Sequence, residues 1–186
     1  MELGEVCDIF NGSTPSRSNK EYWISGLIPW FTIEDIREQG RIIKNTKQKI
    51  TKKALEETSV KLLPPQSVLL CCTASIGEYA ITDIELTTNQ QFNGLVIKKD
   101  YKAKLLPFFL FLVSSTFKDE LIRLSGKTSF NFLSVGTLKK IKIPMPNIEI
   151  QKKFIAEMEE QEKIIEANKK LVGIMEQKIT EVLSEI

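Results

Sequence analysis

A chain of 186 residues, 42% hydrophobic, with 26 basic against 24 acidic side chains, has the size of one or two globular domains and is not a polycation. It contains no histidine, which removes Ser-His and Cys-His nucleophile pairs and the commonest zinc ligand. Its three cysteines form no CxxC pair, no run reaches the roughly 18 apolar residues of a membrane span, and the opening MELGEVCDIF lacks the form of a signal peptide, so a cytoplasmic address is expected.

The sequence changes character at IPMPN, residues 143–147. Before it, residues 1–146 read as a mixed strand and helix domain. LGEVCDIFNG is a strand ending in a glycine turn, STPSRSNKEYW a polar loop around Pro15, and GLIPWFT a short apolar segment. TKKALEET fits a short helix capped by Thr51. QSVLLCCTA and GEYAIT are two strands joined by a turn near Ser75 to Gly77, and FNGLVIKK is another. Pro107 can open a helix through FFLFLVSSTFKDELIRL, with Gly126 just beyond its end. LKKIKIPMP reads as a last strand stopped by proline. The expected class is α+β, a globular domain with a curved, mostly β sheet and flanking helices, followed by a long coiled-coil helix.

That helix is residues 147–186, with Asn147 as its N-cap. Phe154, Met158, Gln161, Ile165, Asn168, Val172, Met175, Ile179, Val182 and Ile186 recur at alternating steps of four and three, the seam of a coiled coil. Ile155, Ile164, Leu171 and Leu183 widen the stripe. About 38 helical residues span roughly 57 Å, too long to lie along a domain with a radius of gyration of about 15 Å. The stripe therefore predicts a partner helix. Gln161 and Asn168 on the seam would fix register at some cost in stability.

Charge separates the two parts. The helical segment is net negative, whereas the first 146 residues hold 20 basic and 15 acidic side chains. Six of the positive charges crowd into RIIKNTKQKITKK, residues 41–53. Such a run is either a solvated face or a set of phosphate contacts. There is no GxxxxGK[ST] loop and no GxGxxG turn.

Four stretches in order resemble the specificity subunits of type I restriction-modification systems. LGEVCDIFNGSTPSRSNKEYWISGLIPWFTIEDI is similar to the opening of a target recognition domain. LLPPQSVLLCCTASIGEYAI, TNQQFNGL and LKKIKIPMPNIEIQKKFI resemble the signatures that follow it. The resemblance implies a subunit with no catalysis of its own and no cofactor or metal. Such a subunit binds double-stranded DNA and directs modification and restriction subunits to a bipartite site. The sequence agrees in lacking the [ND]PP[YF] methylation motif; LPPQ at Leu63 to Gln66 is not one. Full subunits of the family carry two recognition domains and two long helices, whereas this chain has one of each. The expectation is a half-subunit, whether natural or a fragment, that pairs with a second copy through residues 147–186, by analogy antiparallel. The partner surface would comprise Met158, Gln161, Ile165, Asn168, Val172, Met175, Ile179 and Val182.

Base reading requires side chains on loops and element ends. Three loops qualify: Arg17, Ser18, Asn19 and Lys20; Thr73 and Ser75; and Lys127, Thr128, Ser129 and Asn131. Lys47 and Lys49 are candidate phosphate contacts. Tyr22, Trp23, Trp30 and Phe31 read as core. The amides of TTNQQFNGL, residues 87–95, look like base readers and must face solvent or DNA or bond to neighbouring loop backbone, but the family signature makes most of them scaffold. Gln90 and Gln91 stay as outside candidates. Two rival readings are a small thiol enzyme built on Cys71 and Cys72 beside Glu78, and a coiled-coil adaptor without DNA specificity.

Overall fold

The computed structural model describes residues 1–73, 75–125 and 133–184. The chain packs as two compact units, Met1–Pro146 and Asn147–Ile186.

The first unit opens with one helical turn, α1 (Leu3–Val6), leading into β1 (Cys7–Asn11). The expected continuous strand is thus half helix. Leu3 and Val6 bury three residues apart, and the Glu2 N–H donates to Glu5 Oε2 at 2.7 Å to close a capping box. After a loop and a 3-10 turn at Lys20–Tyr22 come β2 (Ile28–Phe31), α2 (Ile33–Gln39), β3 (Ile42–Ile43), β4 (Gln48–Ile50) and α3 (Lys52–Glu57). Thr51 caps α3 as expected, its Oγ1 accepting from the Ala54 N–H. The predicted hairpin is β5 (Val68–Cys71) with β6 (Tyr79–Thr82); β7 (Thr87–Thr88) and β8 (Phe92–Ile97) follow.

The strands are shared between two sheets. One has the order β1-β8-β5-β6-β3, antiparallel except for β3 with β6. The other has the order β4-β2-β7, with β2 and β7 parallel. The α+β expectation holds in this form, mixed sheets with flanking helices and a long C-terminal helix. Phe31, Ile43, Leu69, Leu86 and Phe92 form the main core, where the Phe31 and Phe92 rings meet edge to face at 4.8 Å. A smaller core of Trp30, Ile50, Ala54 and Val60 lies under α3.

The helix expected after Pro107 divides into α4 (Pro107–Ser114) and α5 (Lys118–Ser125), with a 3-10 turn at Ser115–Phe117 between them. Hydroxyls of Ser114, Ser115 and Thr116 each donate to a carbonyl three or four residues back, at 2.7–2.8 Å, and such bonds compete with the helical ladder. The expected last strand is also corrected. Ser134 caps a short helix, α6 (Val135–Leu138), and only an isolated bridge from Lys142 to Glu2 remains, because Pro144 and Pro146 have no N–H for a ladder. Gly126, the expected helix stop, lies outside the described residues.

The second unit is one helix, α7 (Ile148–Ser184), of 37 residues. Asn147 Oδ1 accepts from the Ile150 N–H at 3.0 Å, the expected cap.

Candidate nucleic-acid interface

In the larger sheet, Asn11 pairs with Asn93 and Cys71 with Phe92. The loop after β1 and the turn after β5 therefore leave from the same end. Gly12 makes the first of these possible. Its N–H donates to Phe92 O at 2.9 Å, and a Cβ at this position would overlap the Asn89 carbonyl. The Ser13 N–H then bonds Thr88 O at 2.9 Å, and the Thr14 hydroxyl donates to Gln90 Oε1. The loop is fastened along its first three residues to the TTNQQFNGL segment.

Beyond Pro15 the loop closes around two indoles. Trp30 Nε1 donates to Ser13 O and Trp23 Nε1 to Ser16 O, at 3.1 and 3.0 Å. The two rings meet edge to face at 5.0 Å. The Arg17 guanidinium lies 3.6 Å from the Trp23 centroid and 4.7 Å from that of Trp30, and its Nη2 donates to Gln48 Oε1 at 2.7 Å. Desolvation by these neighbours lowers the Arg17 pKa from its ordinary value. Arg17 is nevertheless exposed. The other candidates of this loop differ in their commitments. Ser18 pairs with Ser16 through their hydroxyls, and Asn19 caps the 3-10 turn by accepting from the Glu21 N–H. Lys20 is exposed, with no ion-pair partner among the described residues.

The basic run is largely neutralised by its own neighbours. Arg41 pairs with Glu78, Lys47 with Glu38, Lys52 with Glu56 and Lys53 with Glu21. The hydrogen bond between Lys53 and Glu21, and the Coulombic attraction that follows, raise the lysine pKa and lower that of the carboxyl. Lys44 and Lys49 are exposed and have no ion-pair partner among the described residues. Of the two candidate phosphate contacts, Lys49 is available and Lys47 is held by Glu38.

The turn carrying Thr73 and Ser75 packs against α5, where Gly77, at φ +87°, leaves no room for a Cβ beside Lys118. Thr73 and Ser75 are half-buried. Ser75 lines a cavity of about 530 Å³ together with Ile36, Arg37, Glu78 and Lys118. Lys127, Thr128, Ser129 and Asn131 lie outside the described residues; the Leu133 N–H donates to Cys72 O at 3.1 Å.

The TTNQQFNGL segment crosses from the small sheet to the large one. Thr87 donates its hydroxyl to Pro29 O, Asn89 Oδ1 accepts from the Gln91 N–H, and Asn89 Nδ2 donates to Gln91 Oε1. One expectation fails: Asn93 neither faces solvent nor bonds to loop backbone. It sits inside β8 at 1% exposure, and its Oδ1 has no hydrogen-bond partner. β8 lies between β1 and β5, where Asn93 stands opposite Asn11 and Leu70. Gln90 alone of the four amides is exposed.

The cysteines are buried, and desolvation pushes the thiols of Cys7 and Cys72 up to about 12. Among the described residues no group of His, Cys, Asp and Glu could hold a metal ion. No helix among them is long and apolar enough to cross a membrane.

On α7, Gln161, Ile165, Asn168, Val172, Met175, Ile179 and Val182 are exposed, and Met158 is half-buried. Sequence reasoning missed the Gln48 contact and two exposed apolar residues, Ile24 and Leu27, on the turn after Trp23. Gln48 gave no signal, because its role depends on β4 pairing with β2.

A family model described as the type I restriction modification DNA specificity domain matches residues 1–183. The chain is 36% identical over 146 residues to the EcoprrI specificity subunit of Escherichia coli, covering 78% of this chain and 36% of that protein. It is 35% identical over 176 residues to the MjaIX specificity subunit of Methanocaldococcus jannaschii, covering 94% of this chain and 40% of that one. Among solved structures it resembles a chain of a type I R-M system with a TM-score of 0.75 at 22% identity, covering 98% of this chain and 42% of that chain. It also resembles the HsdS subunit from Thermoanaerobacter tengcongensis, with a TM-score of 0.65 at 22% identity, covering 90% and 38%. These likenesses below 25% identity concern the fold alone. The chain spans 36–40% of the length of these two curated relatives. With the family match running over nearly its whole length, the chain belongs to the type I restriction-modification DNA specificity family.

Proposed function

We propose that residues 1–146 form a target recognition domain for one half-site of duplex DNA, and that residues 147–186 are the helix through which two copies pair. In this reading the chain catalyses nothing itself. It works in the cytoplasm, bringing methyltransferase and restriction subunits to a bipartite sequence. The observation that carries the reading is the family match over residues 1–183. The geometry supports it further. The Arg17 loop and the Thr73–Ser75 turn leave one end of the larger sheet, with Lys20 and Lys49 exposed.

Lys20 and Lys49 would contact phosphate, whereas Arg17 would read a base edge. Thr73, Ser75, Lys127, Thr128, Ser129 and Asn131 would complete the half-site contacts. The apolar stripe of α7, with Val172 54% and Ile179 57% exposed, is the face that a second copy would cover, and Gln161 and Asn168 would set its register. Two identical domains related by a twofold axis would read a palindrome whose spacer follows helix length.

Co-purification with a modification subunit, followed by mapping of adenine methylation in the host genome, tests the reading. Methylation confined to one bipartite palindrome is expected. Sedimentation of the chain as a monomer at micromolar concentration would sink the pairing, and duplex binding without sequence preference would sink the recognition role.

A further inference from the structure

Arg17 is held in three ways. Its guanidinium stacks on Trp23 at 3.6 Å, reaches over Trp30 at 4.7 Å, and donates to Gln48 Oε1 at 2.7 Å. Each support is itself fixed. Trp23 donates to Ser16 O, the residue before Arg17 in the chain. Gln48 lies in β4 opposite Trp30, and its carbonyl accepts from the Thr46 hydroxyl at 2.6 Å. The same Thr46 Oγ1 accepts from the Trp30 N–H at 3.1 Å. Strand pairing, indole and amide thus form one frame around the arginine.

We propose that Gln48 and Trp23 are positioning residues that hold the Arg17 guanidinium as a preset fork for a base edge. This inference rests on the DNA-recognition reading above. A guanidinium has five N–H donors in a rigid plane. Stacking uses the face of that plane and Gln48 takes one donor, so further donors remain for a two-point contact with an acceptor pair such as guanine O6 and N7. A long, solvated arginine would lose its rotamer freedom on binding; this one has already lost it on folding. Gln48 acts through Arg17 and does not itself touch a base.

The alternative is that Arg17 merely covers the two indoles. The full chain separates these roles. Selection from a pool of randomised duplexes with the wild-type chain supplies the reference duplex. Gln48→Ala should weaken binding to that duplex by about ten-fold, as the loss of one oriented contact does. Binding to a scrambled duplex should stay within about two-fold, since no phosphate contact changes. Selection repeated with Gln48→Ala should relax the same base pair that Arg17→Ala relaxes. In the double variant the Gln48 change should add nothing to the Arg17 change, the signature of a coupled pair. Gln48→Glu, which keeps an acceptor, should restore the wild-type profile. The chain has two tryptophans, both in this frame, so intrinsic fluorescence without DNA should respond to Gln48→Ala and Arg17→Ala alike.

Equal loss on both duplexes would overturn the proposal in favour of a purely structural tie. Additive losses in the double variant would overturn it by making Gln48 an independent reader. A wild-type chain that selects a sequence, with an unchanged Gln48→Ala profile, removes this inference alone. A wild-type chain that selects none removes the recognition reading and this inference with it.

Discussion

Asp35 is the last residue of IPWFTIED, one of the stretches that mark the family, and a buried carboxylate near the proposed recognition loop invites a functional role. Its geometry argues for scaffold. At 1% exposure it accepts from the Thr32 N–H at 2.7 Å and from the Lys47 N–H at 2.8 Å, with the Thr32 hydroxyl at 3.4 Å. The first bond starts α2, and the second pins the chain between β3 and β4. Asp35→Ala would leave two backbone donors without partners, at about 1–3 kcal/mol each. Alanine recovers at most about 0.7 kcal/mol of helix propensity, and water entering the gap recovers more. A net loss of about 3 kcal/mol is expected from the two orphaned donors. Asp35→Asn keeps one acceptor but turns an amide N–H toward the other donor, so it should lose about half as much. Urea unfolding followed by circular dichroism measures both changes, as a lower midpoint at an unchanged slope. Hydrogen exchange should accelerate at the Thr32 and Lys47 amides in particular. Folded Asp35→Ala protein should bind duplex DNA as the wild type does. A loss below about 1 kcal/mol together with lost DNA binding would refute the scaffold argument and make Asp35 part of the interface.

Four further outcomes are expected. Lys49→Ala should weaken binding to all duplexes alike and lower the salt slope by about one, as gel shifts at several salt concentrations would report; a change in sequence preference would count against a phosphate role. Val172→Glu with Met175→Glu should convert a dimer to monomers in sedimentation without changing the unfolding of residues 1–146, because both side chains are exposed in the single chain; an unaltered sedimentation coefficient would place the contact elsewhere. Native protein at pH 8 should resist thiol alkylation at Cys7 and Cys72, whose pKa values burial raises from 9.0 to about 12. The unfolded chain loses those protons near 9.0 while the folded chain keeps them, so stability should fall as pH rises from 9 toward 12. Cys72→Ala should flatten that fall, and a steepened one would reverse the sign of the argument.

The family was legible because the signals that mark it are local. The glycine and proline turns, the caps at Thr51 and Asn147, and the heptad stripe after Asn147 each lie within a few residues of sequence. The division of strands between two sheets was not legible. β3, β4 and β7 are two or three residues long, too short to carry an alternation. They exist because β2 and β6 supply distant partners.

The TTNQQFNGL segment shows the same boundary. Its assignment to scaffold came from the family signature, whereas its partners were not legible: Gln90 meets Thr14, 76 residues away, and Asn93 stands between strands that begin at residues 7 and 68. The sequence by itself determined that Arg17 sits in a polar loop between aromatic segments, since loop and strand propensities depend on neighbouring residues. Only the tertiary structure decided what Arg17 touches. Stacking on Trp23 and bonding to Gln48 require β2 and β4 to pair in one register, Trp30 opposite Gln48, and a one-residue slip would turn Gln48 to the other face.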